Sequence, residues 1–338
     1  MRAVVVDEFG PFKQAVIRDL PDPVPGSGEI LVEIHATAAN YVDILLIAGK
    51  HQSRPKLPFI PGKGPAGIVR EVGGEVTGFA IGDRVVAMCE PGGGYARLIA
   101  VPATQCHRLP SSLPFTDAAS MALVYDTAWF SLRERGRYQP GETVLVLGAS
   151  GGVGLAAVQL ARALGARVLA GVSNPEKFDL ATTAGADAII DLGRDDLHDS
   201  LREQVYAVTN GRGADIIIDP LGDAISDAAI RALAWCGRLV VIGFAAGRIP
   251  TIKFNYLLVR NIEVCGLQIG DYRKRRPDLT AKCFDELFSL YETGKIKPLP
   301  TTVLPIEQFV DALSAIRDRT ARGRFVLLQG REGAYMKA

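Results

Sequence analysis

Four glycines lie within the seven residues GASGGVG (148–154), and the apolar run LAAVQLA (155–161) follows at once. Such a loop lets backbone approach a phosphate closely, and the run behind it predicts a helix that begins at Gly152. Unpaired N–H groups and the partial positive charge of a helix start would then hold a pyrophosphate. The first position of the usual GxGxxG is Ala149, so the pattern reads AxGxxG. A tight turn between a strand and a helix is the other use of such a loop. On the phosphate reading, Ser150, Gly151, Gly152 and Val153 are cofactor-binding candidates, and Gly154 packs the helix against its strand.

A second group of polar residues follows about 20 positions on, where dinucleotide-binding proteins recognise the adenosine ribose. A carboxylate there would bond the 2′-hydroxyl and repel a 2′-phosphate. This chain instead has GVSNPEK (171–177), with Ser173 at the predicted strand end and Lys177 four residues later. A hydroxyl and an ammonium suit a 2′-phosphate and favour NADPH as cofactor; two side chains facing solvent are the alternative. Asp191 comes at the end of the next predicted strand, too far along for the role of an NAD-selecting acid.

Metal chemistry finds little support in the spacing. Cys89, Cys106, Cys236, Cys265 and Cys283 include no CxxC pair, and His35, His51, His107 and His198 include no HxxxH pair. A disulfide framework or a four-cysteine zinc lobe is not expected.

The elements that must carry these residues fall into two kinds. From Thr143 onward, apolar runs alternate with helical segments: VLVL (144–147), VLAGV (168–172), AIID (188–191), DIIID (215–219), LVVIG (239–243) and IEVCGL (262–267). Near-continuous Val, Ile and Leu is the pattern of parallel strands buried on both faces. Gly165 and Gly185 stand where helices should end, and Asn174-Pro175-Glu176 reads as a helix start. Six such strands predict an α/β fold with a doubly wound parallel sheet.

The first 120 or so residues read as β-rich. Short runs AVVV (3–6), ILVEIHA (30–36), GIVREV (67–72) and DRVVAM (83–88) are separated by the breaks PDPVPGSG (21–28) and PGKGPAG (61–67). The C-terminal stretch predicts helices over 278–292 and 305–316 and a last strand RFVLL (324–328), too little for a core of its own. It is expected to return to the first domain. The resulting division is 1–122 plus 269–338 around a dinucleotide-binding domain at 123–268.

At 338 residues two domains are the natural size class. A net charge of +1 argues against a nucleic-acid partner, and no apolar run reaches transmembrane length. A cytoplasmic location is expected.

The motifs ANYVD (39–43), PGKGPAGIVREVG (61–73), GDRVVA (82–87), GGYARLIAVP (93–102), GASGGVG (148–154), DPLGD (219–223), LAWCGRLVVIGFAAG (233–247) and GRFVLL (323–328) span the whole chain. Together they resemble the medium-chain dehydrogenase/reductase superfamily and, within it, the zinc-free quinone oxidoreductases. The resemblance implies a Rossmann sheet inserted into a GroES-like β-rich domain, with the cofactor in the cleft between them. Zinc-dependent relatives carry a Cys where this chain has Asn40, and a GHE segment where it has Gly62-Lys63-Gly64. Lys63 is a poor ligand, so no metal is expected.

Without a Lewis acid, an acceptor that is already electrophilic is the natural partner for hydride. The resemblance implies that Asn40 and Asp43 lie near the nicotinamide and substrate; packing of the HATAANYVD corner, with Asp43 as a helix cap, is the alternative. It also implies cofactor contacts from Thr127, from backbone groups of Phe244 and Leu267, and from Arg324, unless that arginine sits at a strand edge in solvent. The family often carries Arg and Tyr where Ile47 and His51 stand, and a Tyr beside the 2′-phosphate where Leu192 stands.

The leading reading is an NADPH-dependent, zinc-independent reductase of quinones or other α,β-unsaturated carbonyl compounds. An enoyl-thioester reductase, with His51 as proton donor, and an NADPH-binding protein with little turnover are the alternatives. The apolar edge strand IEVCGL predicts a homodimer.

Overall fold

The computed structural model describes residues 1–90 and 92–329. The chain divides into two compact units: Met1–Leu123 with Tyr272–Phe288 and Pro298–Ala338, and Val124–Asp271 with Ser289–Lys297. In chain order the strands are β1 (Arg2–Val5), β2 (Val16–Asp19), β3 (Glu29–Ala39), β4 (Ala66–Val72), β5 (Arg84–Ala87), β6 (Leu98–Pro102) and β7 (Cys106–Arg108). They continue as β8 (Thr143–Leu147), β9 (Arg167–Val172), β10 (Ala188–Asp191), β11 (Ala214–Asp219), β12 (Leu233–Val241) and β13 (Glu263–Gly266). The last two are β14 (Thr301–Pro305) and β15 (Arg324–Leu328).

The second unit holds a six-stranded sheet in the order β10-β9-β8-β11-β12-β13, parallel throughout. Leu145 pairs with both Leu169 and Ile217, and all three are fully buried. Helices on both faces make that burial possible, and each such side chain contributes about 1.5–3 kcal/mol relative to exposure. Chain order reverses direction at β8, so the ends of β8 and β11 form a topological switch point, the usual place for a nucleotide. The helix Gly152–Ala163 follows β8 and ends at Gly165, whose φ of +88° suits a glycine. Asn174 Oδ1 accepts from Glu176 N at 3.0 Å and starts a 3₁₀ turn, Pro175–Lys177, that leads into the helix Phe178–Thr183.

One strand departs from expectation. β12 starts at Leu233, six residues before the predicted LVVIG run at 239. Its register against β11 shifts between Ala214 and Ile216, and Cys236 takes a φ of +61° there. A bulge interrupts the apolar pattern, which is why the first part was not legible as strand.

The first unit holds a seven-stranded sheet, β14-β15-β3-β4-β5-β7 with β6 also on β3, and the antiparallel pair β1-β2. β15 pairs antiparallel with β3, from Phe325 opposite Ala39 to Leu328 opposite Ala36. The C-terminus therefore returns to the first sheet, and the Rossmann sheet is an insertion in a GroES-like fold. Val4, Leu46, Ile47, Tyr95, Phe309 and Leu327 form one core of this unit.

Candidate active site

In the first unit, β3 delivers Asn40 to the start of the helix Tyr41–Ile47. Asn40 keeps extended backbone, and its N–H donates to Asp43 Oδ2 at 2.9 Å. That bond is the N-terminal capping expected of an acid three residues into a helix. Asp43 also accepts from Gly62 N at 3.2 Å on Oδ1, and from the Tyr95 hydroxyl at 3.1 Å on Oδ2. It is fully buried. Burial raises its pKa to about 6, against the three donors and the Lys63 charge, which favour the carboxylate. Burial and the Asp43 charge together push the Tyr95 phenol well above its ordinary value. Gly62 is required here: it has a φ of +92°, and a Cβ would stand 2.3 Å from Tyr95 Cδ1.

Asp43 is thus a hub that fixes the corner, which is the capping alternative of the sequence reading. Asn40 is buried too. Its Nδ2 donates to Ala38 O at 2.9 Å, and its Oδ1 accepts from Arg324 Nη2 at 2.6 Å. Arg324 Nε reaches Ser120 O at 3.3 Å. Arg324 is therefore buried on the sheet and engaged with Asn40, rather than lying at a solvent-facing strand edge.

Lys63, next to Gly62, is buried and ion-paired with Glu90 Oε2; the other oxygen of Glu90 accepts from Arg273 Nη1 at 2.6 Å. This triad was missed by sequence reasoning, because its members lie 27 and 183 residues apart and charges usually face solvent. Two cations hold the Glu90 carboxyl below the usual range against a large desolvation effect. His51 feels both Lys63 and Glu90, while burial lowers its pKa. Its Nδ1 lies 3.1 Å from Ser53 N and 3.2 Å from Ser53 O. Among the described residues no group of three or more His, Cys, Asp or Glu side chains could hold a metal ion.

In the second unit, the turn after β8 is built as a cradle. Gly151 N donates to Gly148 O at 2.9 Å, and Gly151 caps the helix. The first intrahelical bond runs from Leu155 N to Gly151 O at 2.8 Å, so the N–H groups of Gly152, Val153 and Gly154 precede it. A Cβ on Gly154 would meet Gly148 O at 2.2 Å, so only glycine lets the helix sit this close. Ser150 lies in the same turn.

Neighbouring strand ends converge on this turn. Gly148 packs against Leu221, and Gly222 packs against Phe244, each at about van der Waals distance or closer for an added Cβ. Asp219, buried at the end of β11, accepts from Leu221 N at 2.9 Å, from Gly222 N at 3.0 Å and from the Ser226 hydroxyl. The DPLGD segment is thereby locked, a role for Asp219 that its apolar surroundings in the sequence did not reveal. Leu267 N donates to Val241 O at 2.9 Å, and the Phe244 carbonyl accepts from Gly247 N at 3.0 Å. Thr127 is buried in the helix Phe115–Phe130, its hydroxyl 3.3 Å from Asp126 Oδ1.

At the ends of β9 and β10, Ser173 is exposed and Lys177 half-buried. The next loop lies beside them: a Cβ on Gly193 would stand 2.7 Å from Ser173 O. It carries Arg194, an exposed cation absent from the sequence-based candidates, 3.8 Å from Asp191 Oδ2. Asp191 Oδ1 accepts from Gly193 N at 2.8 Å.

A glycine turn at the switch point of a 3-2-1-4-5-6 parallel sheet, inserted in a GroES-like fold, defines a medium-chain dehydrogenase/reductase. Two family models match: the alcohol dehydrogenase GroES-like domain over residues 26–111 and the zinc-binding dehydrogenase over residues 152–285. The quinone oxidoreductase-like protein 2 homolog of Nematostella vectensis is 37% identical over 96% of this chain and 88% of its own length. The crystal structure of a Pseudomonas syringae quinone oxidoreductase superposes with a TM-score of 0.90 at 28% identity, covering 97% of this chain and 99% of that one. The Escherichia coli quinone oxidoreductase complexed with NADPH gives 0.88 at 27% identity, over 97% and 100%. The chain belongs to the quinone oxidoreductase family of oxidoreductases.

Proposed function

We propose that this protein transfers hydride from NADPH to a quinone or another α,β-unsaturated carbonyl compound without a zinc ion. The carrying observation is the set of groups at the ends of β9 and β10. A hydroxyl, an ammonium and a guanidinium come from Ser173, Lys177 and Arg194, while Asp191, the carboxylate at the end of β10, is engaged by Gly193 N–H and faces Arg194. That chemistry suits a 2′-phosphate better than a free ribose diol. The Gly151–Val153 cradle suits the pyrophosphate, and the NADPH-bound Escherichia coli neighbour supports the same cofactor.

When bound, the cofactor supplies hydride; the chain supplies orientation and electrostatics. Zinc independence is supported by Asn40 and Lys63, neither of which suits the metal, at the positions where zinc-dependent relatives have Cys and His. Asn40 is held in place by Ala38 and Arg324, with Asp43 fixing the turn beneath it. The test is NADPH oxidation against a panel of quinones and enones, with NADH and crotonyl-CoA as comparison arms. Turnover of quinones or enones with NADPH supports the reading. No oxidation on any acceptor refutes it, and a preference for crotonyl-CoA transfers it to enoyl-thioester reduction.

We also propose that the molecule is a homodimer. β13 ends the six-stranded sheet, and the nearby helix Phe254–Arg260 leaves Phe254, Leu258 and Val259 at least three-quarters exposed. Covering that face with a twin supports a two-fold contact.

A further inference from the structure

We propose that Lys63 is a catalytic residue: its ammonium group takes the place of a metal and stabilises the oxygen on which negative charge develops as the acceptor is reduced. This inference rests on the reductase reading above and assigns an oxygen-binding position within it.

Four observations support it. Lys63 is held between Gly62 and Gly64, both at positive φ, so the loop is shaped around it. Its side chain is 6% exposed, yet among the described residues its three N–H hydrogens meet one acceptor, Glu90 Oε2. Two N–H groups of a buried cation without an acceptor are costly unless a ligand completes them. Glu90 is shared with Arg273, itself 1% exposed, so Lys63 does not hold that carboxylate to itself. Asp43 feels the Lys63 charge, but its oxygens already accept from Asn40, Gly62 and Tyr95. His51 and His107, also in electrostatic reach of the triad, can carry only positive charge or none, and burial pushes the adjacent Cys89 thiol up to about 12, which keeps it neutral. The chemical complement of this arrangement is an oxyanion.

The electron balance is simple for an enone. Hydride forms a C–H bond at the β-carbon, the alkene π pair shifts to the adjacent carbon–carbon bond, and the carbonyl π pair moves onto oxygen. Lys63 donates hydrogen bonds to the resulting enolate oxygen and keeps its proton. A solvent proton then adds to the α-carbon. A quinone places charge on its oxygen in the same way. A fixed cation in a site of low dielectric acts most strongly on the charged species, so it speeds the step more than it tightens substrate.

The variants Lys63→Met and Lys63→Arg test this. Lys63→Met leaves Glu90 with the buried Arg273 cation as partner, so the carboxylate is not stranded. The first readout needs no turnover: 4-nitrophenol titrated with the protein, its ionised form followed by absorbance. Wild type is expected to bind the phenolate and lower the apparent pKa of the phenol. Lys63→Met is expected to weaken that binding at least tenfold and abolish the shift, and Lys63→Arg to retain most of it. With NADPH and an enone, Lys63→Met is expected to lower kcat about 10²-fold with little change in KM. A Lys63→Met protein that binds phenolate like wild type, or a wild type that binds none, overturns the inference. Unchanged kcat in Lys63→Met, with an active wild type, overturns it too and leaves the reductase reading standing. An inactive wild type removes the reductase reading instead, and the phenolate titration alone then decides whether Lys63 holds an oxyanion.

Discussion

Arg324 Nη2 donates to Asn40 Oδ1 at 2.6 Å across 284 residues of sequence. The bond joins β15, the last strand described, to the end of β3, and β15 lies directly beside that strand. Arg324 thereby orients the Asn40 amide. Arg324→Met should leave Asn40 Oδ1 without its buried donor and cost about 1–3 kcal/mol. Urea unfolding of the variant against wild type measures the loss; an unchanged midpoint would show that the bond does not stabilise the fold.

Asp43 makes the corner pH-dependent. Its carboxyl titrates near about 6 in the folded protein and near about 3.9 in an unfolded chain. Between these values the folded state binds more protons, so this residue's contribution to stability falls as pH rises through that window. Below about 4 both states are protonated and the contribution is constant; above about 6 both are ionised. Comparing urea midpoints of wild type and Asp43→Asn across pH 4 to 7 isolates it. The difference between the two proteins should change with pH in that direction, and a pH-independent difference would contradict the assignment.

Lys177 and Arg194 supply the cations proposed to recognise the 2′-phosphate. Replacing either with Glu should raise the Kd for NADPH roughly tenfold to a hundredfold, the range of a lost charge-assisted bond. The Kd for NADH should change far less. Fluorescence titration with both cofactors gives the two constants, and equal losses for both would point to a general effect on the fold.

Gly154 tests the cradle. A Cβ there would stand 2.2 Å from Gly148 O, so Gly154→Ala must push the helix from its strand. Overpacking of this kind costs about 1–3 kcal/mol and should also weaken either cofactor. Thermal unfolding together with the same titrations checks both effects. Gly74, with open space around it, offers a control position.

Leu258 lies on the exposed apolar face beside β13 and is 79% exposed. Leu258→Glu should place charge in the proposed two-fold contact and shift the molecule to monomer. Light scattering at micromolar concentration reads the mass; a monomeric wild type would refute the dimer.

How far the sequence was legible follows from distance along the chain. β8 to β11 were readable because strands buried on both faces consist of near-continuous Val, Ile and Leu, and Gly165 marked a helix end in the local code. RFVLL was readable as β15 for the same reason. β14 was not: Thr301–Pro305 lies at a sheet edge, partly exposed, and ends in proline. The start of β12 was hidden by its bulge at Cys236. The candidate site was legible in its local structure, in the glycine turn that opens a helix and in Asp43 as a helix cap beside Asn40. It was not legible where it depends on long-range pairing, as in Lys63 with Glu90 and Arg273, or Arg324 with Asn40.

The most direct test of the hydride-transfer claim follows the hydrogen itself. NADPH deuterated at the nicotinamide C4 position, incubated with the protein and an enone, should yield a saturated ketone carrying deuterium at its β-carbon, with one cofactor oxidised per product. A product without deuterium at that carbon, or a deuterated cofactor that remains unconsumed with every acceptor, would contradict the account.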